Sequence, residues 1–364
     1  MRRRLSRSGR APFYGLATLF VLVGLVAACS GTPMQAADRP YHHLEDGTFR
    51  NPPGSPPRLA TFSDMSAFFW RRVTTASPVA PEGHALPQQR ALADLRAADG
   101  RDSITWLGHS TFLIRLAGTT ILTDPYLGRV AGPAGLGPER YVAPGIPLDK
   151  LPPIDVIVVS HNHYDHLDAS TVEDLPGKER IDVVVPLKLG TFFRSRGYGR
   201  VHEKDWYESI TLGPVEIEML PAVHFSSRTP FDRNATLWAG YALRTSQWKL
   251  FHSGDTAYGP VFKEIGRRAG PFDIAMVAIG AYAPRRIMRS AHVTPEEAVR
   301  LIDDIGARTA IGMHWGTVVL TDEPAFEPPD RFRAAARSAG WREDRARIFR
   351  IGETRLLRQL LPSA

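Results

Sequence analysis

Ser160-His161-Asn162-His163-Tyr164-Asp165-His166-Leu167-Asp168 decides how this chain folds. It follows Asp155-Val156-Ile157-Val158-Val159, a short continuous apolar run of the kind that forms a strand buried on both faces. A strand that stops and turns there brings the next side chains together at the sheet edge. His161 and His163 can then hold one ion while Asp165 and His166 reach a second. Zinc accepts imidazole nitrogen and carboxylate oxygen at about 2 Å, and two ions about 3.5 to 4 Å apart can clamp a hydrolytic reaction. Histidine is 12 of 364 residues, so chance places His-x-His-x-Asp-His in such a chain roughly once in a thousand. A lone histidine is ordinarily a core or surface residue; a cluster this dense points to metal.

The cluster cannot complete two four-coordinate sites alone, so further ligands are expected at strand ends downstream. His224 follows the strand pattern Val215 to Leu220, Asp255 ends Phe251-His252-Ser253-Gly254, and His314 follows Ile311-Gly312-Met313. Asp168 suits a helix N-cap before Thr171-Val172-Glu173-Asp174. His109 and His252 read as structural, and Arg228, Arg233, Arg285 and Arg286 are left outside the site.

The order His161, His163, Asp165, His166, His224, Asp255, His314 resembles that of the metallo-β-lactamase superfamily. The Gly-rich turn that lactamase-like and glyoxalase-like members carry after the third ligand is absent after His224. Trp106-Leu107-Gly108-His109-Ser110-Thr111, Gly280-Ala281-Tyr282-Ala283-Pro284-Arg285, Ala291-His292-Val293-Thr294-Pro295-Glu296-Glu297 and Met313-His314-Trp315-Gly316-Thr317 are similar instead to the branch of phospholipases D that hydrolyse N-acyl-phosphatidylethanolamine.

That resemblance implies an α/β fold, an αββα sandwich of the metallo-β-lactamase type. It also implies two zinc ions per chain, one on His161, His163 and His224, the other on Asp165, His166 and His314, with Asp255 bridging them. Water activated by the metals is then the nucleophile on a membrane phospholipid, giving phosphatidic acid and an N-acylethanolamine. Tyr164 and His292 are implied at the head group, with His292 bonding the substrate or leaving oxygen. Rival readings are a zinc hydrolase of a soluble phosphodiester or a lactone, and a non-enzymatic envelope protein that retains the metal. Iron or manganese also suits His/Asp ligands.

Composition sets the setting. Five of the arginines, Arg2, Arg3, Arg4, Arg7 and Arg10, open the chain, and without them the formal charge of +7 falls to +2, too little for a general nucleic-acid surface. They precede an uncharged stretch, Ala11 to Ala28, that ends in Val26-Ala27-Ala28-Cys29. This resembles a lipoprotein signal peptide over residues 1–28, with Cys29 as the acylated residue and a membrane anchor in the bacterial envelope; the alternatives are a plain secretory signal or a single membrane-spanning anchor. Cys29 is the one cysteine, so the mature chain has no internal disulfide and its metal ligands must be nitrogen or oxygen.

Residues 29–100 are rich in Pro, Gly, Ala and Arg and are expected to form a tether and N-terminal extension, with the catalytic domain over 101–364. Within that domain Ile104 to Leu107, Thr111 to Leu116 and Thr119 to Thr123 form an antiparallel meander. Further strands are expected at Ile181 to Val185, Thr236 to Leu243, Lys249 to His252, Ile274 to Ala278 and Thr309 to Ile311. Helices are expected at Pro260 to Arg268, Pro295 to Ile305 and Asp330 to Ala339, Thr294 capping the second.

Overall fold

The computed structural model describes residues 39–362. The leader and Cys29 lie outside the described residues. Pro40 to Ala364 form one compact unit. The extension expected over 29–100 is therefore corrected: from Pro40 the chain is built into the catalytic body and contributes α1 (Phe62–Thr74) and α2 (Gln88–Ala97). Thr61 and Asp64 close a reciprocal capping box at the start of α1, which explains why a helix begins directly after the proline-rich run.

The first sheet begins as the meander predicts, with β1 (Ser103–Gly108), β2 (Thr111–Leu116) and β3 (Thr119–Thr123) antiparallel. It continues through β4 (Val156–Val158), α3 (Ala169–Asp174), β5 (Asp182–Pro186), α4 (Gly190–Arg194) and β6 (Arg200–Lys204), its last strands all parallel. The second sheet collects β7 (Ser209–Leu212), β8 (Val215–Leu220), β9 (Gly240–Arg244) and β10 (Lys249–His252) as antiparallel neighbours. After α5 (Val261–Arg268) come β11 (Ile274–Ala278), α6 (Arg285–Met288), α7 (Pro295–Asp304), β12 (Thr309–Met313), α8 (Pro328–Ser338) and β13 (Ala346–Arg347). These later strands pair in parallel, and β14 (Thr354–Leu356) returns to the free edge of the first sheet beside β1. The strand orders are β14-β1-β2-β3-β4-β5-β6 and β13-β12-β11-β10-β9-β8-β7.

Side-chain alternation packs these layers. Ile104, Trp106, Phe112 and Ile114 enter a core shared with Ile217, Tyr241, Phe251 and Met276 of the second sheet, whereas Leu107 and Leu113 turn the other way to meet Val172 of α3 and Phe193 of α4. Val261, Ile265, Ala298 and Ile302 from α5 and α7 pack into the same shared core cluster. Both sheets are thus mixed and helix-covered, the expected α/β sandwich.

The strand expected over Thr236 to Leu243 starts only at Gly240. Ala239 N–H instead donates to the carbonyl of Ser160 at 2.9 Å, tying the second sheet to the turn that carries the histidine cluster.

Candidate metal centre

The backbone passes from β4 into the cluster with its last pairing at Val159, whose N–H donates to Val184 O at 3.2 Å. Past it the chain turns, and Asp124 at the end of neighbouring β3 catches the turn. Its carboxylate accepts from Ser160 N–H at 2.6 Å and from Ser160 Oγ at 2.8 Å, and lies 2.9 Å from His166 Nδ1. Asp168 caps α3 as expected, accepting from Ser170 and Thr171 N–H.

Three imidazoles converge first. His161 Nε2 lies 2.8 Å from His163 Nδ1, which in turn lies 3.2 Å from His224 Nε2. His224 arrives from the end of β8. Its Nδ1 donates to Ala291 O at 2.9 Å, fixing the tautomer so that Nε2 offers a lone pair to the cluster. Its backbone N–H donates to Asn51 Oδ1 at 2.8 Å, so the N-terminal extension helps to hold a ligand.

A second group gathers Asp165, His166, His314 and His109. Asp255 Oδ2 lies between the groups, 3.1 Å from both His166 Nε2 and His314 Nε2, 3.8 Å from His224 Nε2 and 3.9 Å from His161 Nε2. His314 sits at a positive φ of 62° after β12, with its carbonyl so close to Gly280 that a Cβ there would fall 2.1 Å from it. Only glycine permits that approach.

The residues fit divalent metal. His166 Nε2, His314 Nε2 and Asp255 Oδ1 are buried with no hydrogen-bond partner, an expensive arrangement unless an ion is what they face. The charge balance agrees. Burial, reinforced by the neighbouring imidazoles, pushes His161 far down and His163 to about 3; burial outweighs the Asp255 charge at His224, which falls to about 4. All three are neutral donors at pH 7. Burial opposes ionisation of Asp165 and Asp255, yet the positive charge of His166 outweighs it and holds both carboxyls well below their usual range. Burial likewise opposes charge on His314, but Asp255 and Asp165 raise it to about 9. Two carboxylates thus demand positive charge where the two groups meet.

All seven residues expected as ligands are brought together, and His292 stands beside them with Nδ1 3.9 Å from Asp255 Oδ2. Tyr164 is placed differently. Its hydroxyl donates to Arg228 O at 3.0 Å, its ring stacks under the Arg228 guanidinium, and it faces a separate groove with Arg129 and Phe192. His109, read from sequence as structural, belongs to the site. Its Nε2 donates to Asp165 Oδ2 at 2.8 Å, and burial drives its pKa to about 3, so it orients the carboxylate as a neutral donor. Asp124 was not singled out; its signal is a carboxylate at the end of the strand adjoining β4. His252 stays structural, accepting from Gly254 N–H. Arg285 and Arg286 are paired with Glu297 and Asp64, and Arg228 is bonded to the carbonyls of Asn162 and Leu167.

The centre opens into a cavity of about 440 Å³. His163, Asp165, His224, Asp255, His292 and His314 line one end; Met65, Phe68, Phe69, Ile287, Met288 and Leu320 form an apolar wall.

Comparison with known proteins agrees with this geometry. Residues 119–315 match the model of the beta-lactamase superfamily domain. The chain is 39% identical over 261 residues to N-acyl-phosphatidylethanolamine-hydrolyzing phospholipase D 1 of Caenorhabditis elegans, covering 68% of this chain and 73% of that one. It is 30% identical to a metal-dependent hydrolase of Anaeromyxobacter, covering 67% of this chain and 84% of the other. The metallo hydrolase Igni18 of Ignicoccus hospitalis shares the fold, with a TM-score of 0.51 at 19% identity over 70% of this chain and 97% of its own.

Proposed function

The chain belongs to the metallo-β-lactamase superfamily and is a metal-dependent hydrolase, and from that premise we propose that it cleaves N-acyl-phosphatidylethanolamine-like phospholipids to phosphatidic acid and N-acylethanolamine. One observation carries the reading: a single cavity joins the metal ligands to an apolar wall of Met65, Phe68, Phe69, Ile287, Met288 and Leu320. An amphiphile with a reacting phosphodiester and long acyl chains needs both ends; a small sugar lactone needs only the first.

His161, His163 and His224 would hold one zinc ion and Asp165, His166 and His314 the other, with Asp255 facing both. Bound there, the ions supply Lewis acidity that withdraws charge from the phosphoryl oxygens and lowers the pKa of water toward 7. The protein does the rest. His109 and Asp124 fix the orientations of Asp165 and His166. His292 is kept neutral, burial outweighing the Asp255 charge, and its Nδ1 has no partner, so this ring can offer a hydrogen bond to the charge that develops on the oxygen leaving phosphorus. Water adds to phosphorus, the P–O bond to the ethanolamine breaks, and the leaving oxygen takes a proton. The leader read over residues 1–28, with acylation at Cys29, would hold the chain on an envelope membrane where such lipids lie.

The test is release of both products by metal-loaded protein beside a His163→Ala, Asp255→Ala double variant. Product from the wild type alone supports the proposal. No product from protein that binds two metals overturns the substrate and leaves a hydrolase of another phosphodiester or of a lactone.

A further inference from the structure

The mouth of the cavity carries features that neither the metal centre nor the core requires. On α1, Met65, Phe68 and Phe69 line the cavity, and Phe69 is at the same time 60% exposed at its rim; Phe62 and Trp70 beside it are 89% and 70% exposed, and Leu59 just before the helix is 48% exposed. Phe62 and Phe69 are seven residues apart and share one face of the helix. In the loop that follows His224, Phe231 is 95% exposed, two residues before Arg233, which lines the cavity. Single exposed apolar residues are ordinary; large aromatics gathered on one helix and on a second segment that lines the same cavity mark a contact surface.

Charge identifies the partner. The arginines in the last turn of α1 and facing its start are neutralised: Arg71 and Arg72 pair with Asp322, and Arg286 with Asp64. Arg58 and Arg233 line the cavity and have no carboxylate within 4.0 Å among the described residues. Each adjoins an exposed apolar residue, Arg58 before Leu59 and Arg233 two residues after Phe231. They are close enough that the Arg58 charge adds to burial in weakening the proton affinity of Arg233, whose guanidinium stacks 4.2 Å over Phe225. Two uncompensated cations beside inserted aromatics suit a surface whose apolar interior lies under a layer of phosphate.

We infer that this mouth is a docking face for an anionic phospholipid bilayer, with Phe62, Phe69, Trp70 and Phe231 entering the apolar layer while Arg58 and Arg233 contact lipid phosphates. Residues 40–364 then hold a membrane without any N-terminal anchor, and lipid reaches the metals along the wall formed by Met65 and Phe68. The inference shares with the proposed function only the lipid class, and its test involves no turnover.

Residues 40–364, the compact unit, are sedimented with vesicles of phosphatidylcholine alone and of phosphatidylcholine mixed with phosphatidylglycerol. The expected result is salt-sensitive binding that favours the anionic vesicles. Arg58→Gln with Arg233→Gln should weaken that preference roughly tenfold or more. Phe62→Ser with Trp70→Ser and Phe231→Ser should weaken binding to both compositions. Thermal melts of both variants should match the parent, since the substituted side chains are exposed. Absence of binding to anionic vesicles at low salt overturns the inference, as does binding that neither variant alters. Binding unchanged by the serine variant, with a dimer that the same variant dissociates, overturns it too and assigns the face to a second copy of the chain.

Discussion

Asp124 Oδ2 lies 2.9 Å from Nδ1 of His166, and this contact leaves His166 Nε2 aimed at Asp255 Oδ2, 3.1 Å away. A carboxylate behind a ligand imidazole sets its tautomer and raises its basicity. The same side chain accepts from Ser160 N–H and Oγ, so one residue fixes both the turn and the ligand. Asp124 has a positive φ of 37°, a conformation asparagine also tolerates. Asp124→Asn should therefore fold yet bind the ion at Asp165, His166 and His314 about 10- to 100-fold more weakly. Competition with a chelator measures this, and an unchanged affinity would remove Asp124 from the centre.

The cluster of seven residues proposed as ligands was legible because each member sits where a strand ends, and strand ends are visible as the close of an apolar run. What supports the ligands was not. Asp124 belongs to the neighbouring strand β3, and His109 reaches Asp165 across 56 positions of sequence, so neither contact leaves a local spacing to read. Residues 40–100 misled for a related reason. Their proline-rich start resembles a tether, while the contacts that fix them, Asn51 to His224 and His84 Nε2 to Gly316 O at 2.6 Å, are distant in sequence.

Asn51 tests that integration. Its Oδ1 accepts from His224 N–H at 2.8 Å and Trp238 Nε1–H at 3.0 Å. Trp238 retains Ala222 O as an acceptor, but His224 N–H would be stranded beside the metal site. Asn51→Ala should cost about 1 to 3 kcal/mol in urea unfolding, the range for an unmatched buried donor. Asn51→Asp keeps an acceptor and should recover most of it. Equal stability of all three would show that the extension is held elsewhere.

Protonation should weaken the metal-free chain on the acid side. Burial is the largest cause that lowers His109, His161, His163, His224 and His292, and they stay neutral when folded. Below the ordinary histidine value of 6.5 the unfolded chain takes up protons that the folded chain refuses, so their effect is a loss of stability as pH falls toward their folded values. His166 and His314 act oppositely. Raised by the carboxylates against burial, they add stability that is complete below 6.5 and lost as pH rises, for His314 through about 9. Burial also lowers His84 and His252, so seven groups against two set the sign, and from pH 7 to pH 5 the melting temperature should drop by about 5 to 10 °C. The metal-loaded chain should hold an ion at His161, His163 and His224 through that interval and release it only as the pH nears about 4 to 3, where protons compete for the nitrogens of His224 and His163. A melting temperature that is flat or rising toward pH 5 would contradict the neutral assignment.

His292 separates a ligand from a group that serves the substrate. It lies in the cavity with Nδ1 3.9 Å from Asp255 Oδ2, too far for a hydrogen bond, while its backbone is pinned by Met288 O and by Arg285, whose guanidinium donates to the His292 carbonyl at 2.8 Å. Those backbone contacts survive a change of side chain. His292→Ala should therefore keep the fold and two metals per chain, yet lower kcat by about 10²- to 10³-fold, the usual cost of removing one hydrogen-bond donor aimed at developing charge. The loss should shrink for a substrate whose leaving group is a phenol, because such an oxygen carries its developing charge with less help. If His292 were instead a metal ligand, the same variant would lose an ion and the loss would be equal for both leaving groups. Metal content and the ratio of the two rates, read on one preparation, decide between these roles.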